Sequence, residues 1–238
     1  IGTGNPDHVT QQAVNILRSS DIIMVPKKGS EKGDLANLRY QICDQLLGEK
    51  PPAIFEFDIP KRSSEGDYLE AVEQWHEAIA NVWQSTIEQA RLTVSHAVKR
   101  VSLMIWGDPS LYDSALRISE RLRPTPTITV APGITSIQAL AAAHKISIND
   151  LGSSFLVTTG RRLRNEGFPK DYEKAVVMLD GECSFNSLKG SNFYIWWGAY
   201  LGMPNEIIFS GNLDEVAELI VKERKKARDE HGWIMDTY

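Results

Sequence analysis

The 238-residue sequence predicts an α/β protein of two domains, residues 1–121 and 122–238. Three observations carry this prediction. Short apolar runs alternate with stretches of helical period, several of the apolar runs stop at glycine or proline, and the polar "RLRPTP" at 121–126 interrupts the alternation near mid-chain. With 42% hydrophobic residues, a chain of this length can bury a sizeable core.

Each element has its own justification. "HVTQQAVNILRSS" reads as a short amphipathic helix with Val9, Ala13, Ile16 and Leu17 on one face, and "DIIMVP" at 21–26 as a buried strand closed by Pro26. A polar loop carrying Lys27, Lys28 and Lys32 leads into a helix from about Leu35 to Leu47, and "AIFEFDIP" is the next strand, again ended by proline. Residues 67–100 hold one long helical pattern, in which Leu69, Val72, Trp75, Ile79, Val82 and Trp83 keep the 3.6-residue period. "VSLMIW" at 101–106, a helix from Leu111 to Arg123 and "TITVAPG" at 127–133 make the strand, helix, strand unit of a parallel sheet. An alanine-rich helix from Ser136 to His144 follows, then strands near "SFLVTTG", "AVVMLD", "FYIWWG" and "EIIFSG", and a last amphipathic helix, "LDEVAELIVKERKKAR". The glycine-rich "IGTGNP" would ordinarily follow a strand, so a first strand is expected upstream of Ile1.

Charge and cysteine usage narrow the function classes. With 26 Lys+Arg against 31 Asp+Glu, the net charge of -5 argues against nucleic acid as the main partner. No apolar run approaches the roughly 20 residues of a membrane span, and no signal peptide is visible. Cys43 and Cys183 have no zinc-type spacing and form no close pair, which points to a reducing compartment, the cytoplasm. The histidines at 8, 76, 96, 144 and 231 lack ligand spacing, and "HE" at 76–77 lacks a second histidine one turn on, so no metal site is expected.

The chemistry concentrates in glycine turns. In "MIWGDPSLYDSAL" an apolar run delivers Gly107, Asp108 is placed to cap the following helix, and Pro109 suits a first helical position. Either this is a plain capped turn, or it is the ligand-binding edge of an open α/β sheet, where a ligand lies against bare backbone. "VAPGITSIQALAAAHKI" repeats the logic: Pro132 and Gly133 make the turn, while Thr135 and Ser136 cap the helix or offer hydroxyls to a ligand. "IGTGNPDHVT" is a third glycine turn, too short for a dinucleotide fingerprint. The arginines of "GRRLRNEG", Arg161, Arg162 and Arg164, follow an apolar strand, as a carboxylate grip or as a solvated loop.

In order and separation, "GTGNPDHVT", "WGDPSLYDSAL" and "TVAPGITSIQALAAAHKI" resemble the tetrapyrrole methylase family, and the similarity runs from end to end. The resemblance implies two α/β domains, a tetrapyrrole side at 1–121 and an S-adenosylmethionine (SAM) side at 122–238, with SAM in the cleft between them and a homodimer. It implies that Gly107 and Asp108 lie along the methionine part of SAM, that Leu111 and Tyr112 line the pocket, and that Thr135 and Ser136 approach it. Met178, Leu179 and Gly211 would frame the adenosine, and S-adenosylhomocysteine would be the product. The loop Gly2, Thr3, Gly4, Asn5 and Pro6 would face the tetrapyrrole, with Arg161 and Arg162 on its carboxylates. Thr3 and Asn5 stand where proline and aspartate are frequent in the family.

Within the family, the resemblance of these loops implies C-methylation of a cobalamin precursor, precorrin-5, at carbon-1 with release of acetate. Asp7, Asp108 and Tyr112 are the candidates by location for handling the water that acetate release consumes. Other substrates known in the family, namely another precorrin, a diphthamide intermediate or an RNA ribose, stay open, as does a non-catalytic nucleotide-binding module.

Overall fold

Four consecutive buried residues, Ile22 to Val25, set the centre of the first sheet in the computed structural model, which describes residues 1–27, 33–63 and 66–238. They lie in β1 (Ile22–Lys27), which pairs in parallel with β2 (Ala53–Asp58) on one side and β3 (Val101–Leu103) on the other. Side chains alternate across a strand, so a strand buried on both faces reads as a continuous apolar run. Ile23 and Val25 pack with Val14 and Leu17 of α1 (Gln11–Arg18), with Ile42 and Leu47 of α2 (Gly33–Leu47), and with Met104. On the other face Ile22 and Met24 meet Phe57, Ile118 and the Ile79, Ala80 and Trp83 stripe of α3 (Tyr68–Thr93).

The chain divides into two compact units, Ile1–Ile134 and Thr135–Tyr238, where the sequence places the division after residue 121. Three expectations for the end of the first unit are corrected. β3 stops at Leu103 rather than Trp106. The helix expected over Leu111–Arg123 shrinks to α4 (Ala115–Ser119), because Tyr112 takes a left-handed backbone (φ 51°) and Asp113 Oδ1 accepts the Ala115 N–H at 2.6 Å, starting the helix late. "TITVAPG" joins no ladder among the described residues, and Ile128 and Val130 are exposed. Its alternation is that of a strand, but a strand exists only where a neighbour supplies the hydrogen bonds. Lys28 and Lys32 of the basic loop lie outside the described residues, while Lys27 ends β1 and pairs with Glu56 at 3.4 Å.

The second unit opens with α5 (Ser136–His144), the span expected for the alanine-rich helix, held by a capping box of Thr135 and Gln138. β4 (Leu156–Thr159) and β5 (Ala175–Met178) pair in parallel, whereas β6 (Tyr194–Ala199) pairs antiparallel with β7 (Ile207–Asn212) and β8 (Asp236–Thr237). Tyr238 exchanges two backbone hydrogen bonds with Val177 and so joins the two sets. α7 (Leu213–His231) packs Leu213, Ala217, Ile220, Arg224 and Ala227 inward. "GRRLRNE" is a helix, α6 (Gly160–Glu166), and not a loop: Thr159 caps it through the Arg162 N–H, and Gly160 lies so near Asp180 that a Cβ would meet its carboxylate at 2.3 Å. No helix among the described residues is long and apolar enough to cross a membrane.

One buried ion pair holds the second unit together. Arg224 donates from Nε to Asp236 Oδ2 at 2.9 Å and from its terminal nitrogen to the Asp180 carbonyl at 2.8 Å, and Trp197 Nε1 donates to the same Asp236 oxygen at 3.0 Å. Replacing Arg224 with Met would strand a buried carboxylate. We expect Arg224→Met to lower stability by about 3–5 kcal/mol, read as a shift of the urea-denaturation midpoint.

Candidate active site

The three glycine turns, far apart in sequence, meet in the first unit. The Gly107 N–H donates to the Gly2 carbonyl at 2.7 Å, and Gly2 and Gly107 form an isolated bridge beyond the end of β3. The Gly133 N–H donates to Asp108 Oδ2 at 2.8 Å, and Thr10 Oγ1 donates to the Pro132 carbonyl at 3.2 Å. Gly133 approaches so closely that a Cβ there would lie 2.1 Å from the Gly107 carbonyl oxygen, which explains the glycine. Gly2 and Gly107 both take positive φ, 64° and 60°.

Asp108 does not cap a helix. Its Oδ1 accepts the Ser110 N–H at 2.8 Å and the Ser110 hydroxyl at 2.5 Å, while Oδ2 takes the Gly133 amide. The Ser110 hydroxyl, followed by the Gly133 and Ser110 amides, holds this carboxyl below the usual carboxylate range against the opposing effect of burial. Leu111 is half-buried just beyond, and Tyr112, in its left-handed conformation, is 43% exposed. Asp7 is exposed and donates its amide to Asn5 Oδ1 at 2.9 Å, which starts the single 3₁₀ turn Pro6–His8.

Sequence reasoning missed two contacts here. Arg39 of α2 is buried with its guanidinium 4.6 Å from the centre of the Trp106 ring, and its Nε donates to the Met104 carbonyl at 3.2 Å. Burial lowers its pKa to about 10, partly opposed by Asp113. Thr3, also buried, bonds His8 Nδ1 through its hydroxyl at 2.8 Å. Neither contact has a sequence signal, since each partner sits at a spacing that no regular element brings together.

The remaining expected residues lie in the second unit. Met178 ends β5 beside Thr159, the cap of α6, so Met178, Leu179, Arg161 and Arg162 share one sheet edge. Leu179 is 65% exposed with φ 53°, an unusual setting for a large apolar side chain. Arg162 pairs with Glu166 at 2.9 Å, and Arg164 bonds the Ser184 hydroxyl at 2.9 Å and pairs with Glu182 at 3.3 Å. Gly211 stands apart on β7, where a Cβ would meet Val216 at 2.7 Å. The Thr135 hydroxyl is spent on its capping box, and Ser136 Oγ accepts from Thr237 at 2.8 Å, so both are engaged within the fold.

The chain resembles known proteins along most of its length. Residues 1–217 match the family model of the tetrapyrrole (corrin/porphyrin) methylases. Over 243 aligned residues the chain is 41% identical to precorrin-6A synthase (deacetylating) of Sinorhizobium sp., with 100% of this chain and 91% of that protein covered. Among solved structures, a cobalamin synthesis related protein, CobF, of Corynebacterium diphtheriae superposes with a TM-score of 0.80 at 36% identity, covering 100% of this chain and 93% of that one. Uroporphyrin-III C-methyltransferase of Thermus thermophilus, in complex with S-adenosylhomocysteine, shares the fold at 17% identity and a TM-score of 0.53, over 91% of this chain and 87% of that one.

The contact between Gly107 and Gly133 leaves no room for a side chain. Gly133→Ala is expected to cost about 1–3 kcal/mol in a urea-denaturation series, since a methyl group there must push two loops apart.

Proposed function

The chain belongs to the tetrapyrrole (corrin/porphyrin) methylase family, and from that premise we propose that it methylates precorrin-5 at carbon-1, using SAM, with release of acetate to give precorrin-6A. The observation that carries this reading is the meeting of the Gly2, Gly107 and Gly133 turns through backbone contacts in the first unit. The full-length identity to a deacetylating precorrin-6A synthase supports the choice of substrate within the family.

The residues present fit a methyl donor of this kind. At the end of β5, Met178 is half-buried and Leu179 turns a mostly exposed apolar side chain outward, which suits the face of an adenine ring. In the first unit, Gly107 and Asp108 are proposed to lie along the methionine chain, with Leu111 and Tyr112 beside them. Thr135 and Ser136 are weaker members of the set, because their hydroxyls and the Thr135 backbone groups are engaged within the fold. Gly211, packed on Val216, is the weakest member of the set.

SAM supplies a methyl group already activated by its sulfonium. The protein's task is alignment and the exclusion of water from the wrong face of the acceptor carbon. The rigidity of the glycine turns serves that task, because bonds between backbone groups hold position better than long side chains do. The loop Gly2, Thr3, Gly4, Asn5 and Pro6 is proposed to face the tetrapyrrole, whose carboxylates give Arg161 and Arg162 a purpose on the exposed side of α6. A homodimer and a cytoplasmic location complete the reading.

Incubation of the protein with precorrin-5 and SAM, followed by mass spectrometry and an acetate assay on one sample, tests it directly. We expect a product that has gained one methyl and lost one acetyl group, with one acetate per turnover. Methylation without acetate would move the substrate to another member of the family. For the arginine edge, Arg161→Ala is expected to raise the KM for the tetrapyrrole by roughly tenfold and leave the KM for SAM within twofold, the size of a lost charged hydrogen bond.

A further inference from the structure

Acetate release needs a base, and one imidazole stands beside the glycine turns. Water must add to the carbonyl of the acetyl group on carbon-1, and neutral water is a poor nucleophile unless its proton is taken as it attacks. Asp108 is excluded by its own bonding: Ser110 and Gly133 supply donors to both of its oxygens. Oδ1 takes two of these donors and Oδ2 one, and the lowered carboxyl pKa they impose makes Asp108 a weak base. Asp7 lies on the exposed side of its 3₁₀ turn.

His8 differs. It ends the same 3₁₀ turn, and its backbone and Cβ sit against Gly2, where an added Cβ would meet the His8 carbonyl oxygen at 2.5 Å. Gly2 in turn accepts the Gly107 N–H, so the imidazole is anchored one residue contact from the meeting point of the glycine turns. The buried Thr3 hydroxyl holds Nδ1 at 2.8 Å, which fixes the ring plane and gives the two nitrogens different roles. The other described histidines lie elsewhere in the fold. His144 Nε2 bonds the Trp197 carbonyl at 3.0 Å, His96 Nε2 approaches the Asp21 carbonyl at 3.4 Å, His231 packs edge-on to Tyr200, and His76 is 2% exposed within α3.

We propose that His8 is the general base for deacetylation, with Thr3 as its positioning residue. The proposal rests on the precorrin-5 reading above. With Nδ1–H donated to Thr3 Oγ1, Nε2 carries the lone pair and takes a proton from water as the water oxygen bonds to the acetyl carbonyl carbon. The bond between that carbon and carbon-1 then breaks, the two-carbon fragment leaves as acetic acid, and the electron pair stays on carbon-1. Carbon-1 uses the pair to take the methyl group of SAM, whose C–S bond breaks toward sulfur. The proton on Nε2 passes to solvent, and acetic acid gives up its own as acetate forms, so one water is consumed and two protons are released per acetate. The arrangement follows a general pattern in which a second group orients a histidine base through its other ring nitrogen.

The test compares wild type with His8→Asn, which keeps a hydrogen-bonding atom for Thr3 but has nothing at the Nε2 position, and with Thr3→Val and Thr3→Ser. Acetate release and methyl transfer from precorrin-5 are timed separately, with calorimetry of S-adenosylhomocysteine and a urea-denaturation midpoint for each variant. We expect His8→Asn to lower kcat for acetate release by about 10²–10⁴-fold with KM, S-adenosylhomocysteine affinity and midpoint unchanged. Thr3→Val should lower kcat by roughly tenfold at constant KM, with Thr3→Ser restoring it, a pattern that loss of packing alone would not give. Acetate release by His8→Asn within about threefold of wild type would overturn the assignment, as would a loss explained by a collapsed midpoint while folded His8→Gln stays active. Failure of the wild type to turn over precorrin-5 would instead overturn the parent reading, and the base assignment with it.

Discussion

The carboxylate of Asp108 is the constraint on which the first unit's loops depend. It accepts from Ser110 on its own turn and from the amide of Gly133, 25 residues further along, and so ties two turns into one surface. The tie matters because the backbones of Gly107 and Gly133 are nearly in contact, and nothing but glycine fits there. The Gly2 carbonyl adds the third turn through Gly107. Once made, these bonds hold Asp108 ionised and engage both of its oxygens.

In the second unit a buried polar hub plays the corresponding part. Burial pushes the Asp180 carboxyl upward, but the amide of Glu182, the hydroxyls of Tyr238 and Ser184 and the amide of Ser184 outweigh it and hold the group ionised. Arg224 grips the Asp180 carbonyl and the Asp236 carboxylate together. The consequence is local: with Asp180 fixed inward and Met178 fixed in the ladder, Leu179 between them is left pointing outward in a left-handed conformation. An exposed leucine on a strained backbone persists only where its surroundings enforce it.

A division of labour follows from these two hubs. The polar side chains around the turns mostly satisfy the fold itself: Thr135 caps α5, Ser136 receives Thr237, and Asp108 binds amides. Exposed here are apolar side chains such as Tyr112 and Leu179, while His8 is half-buried against the buried Thr3. Such a surface suits a reaction whose electrophile arrives already activated, where geometry matters more than added functional groups. The single proton-transfer problem, water addition to an acetyl carbonyl, then falls to the one imidazole held by a buried hydroxyl.

Periodicity was enough for elements whose hydrogen bonds and burial are local. The helical period of residues 67–100 became α3 without its last turns, the alanine-rich span became α5 at the expected ends, and the apolar run of β1 was buried on both faces. Motif order alone carried the family, and with it the loops worth inspecting. Other features were not legible because they depend on which partner reaches a group through space. "TITVAPG" has a strand's alternation but no ladder beside it among the described residues, and the two-residue β8 exists only because β6 lies alongside. Asp108 could equally have capped a helix, yet it binds Gly133, and the same four hydrogen-bonding types that make "GTGNPDH" read as a turn conceal the bond from Thr3 to His8. The sequence by itself determined the α/β pattern and the family, since spacing along the chain encodes both. Only the tertiary structure decided which polar groups are occupied by the fold and which are left for chemistry, because a hydrogen bond goes to whichever acceptor the folded backbone brings within 3 Å or so, and that distance is not written in local spacing.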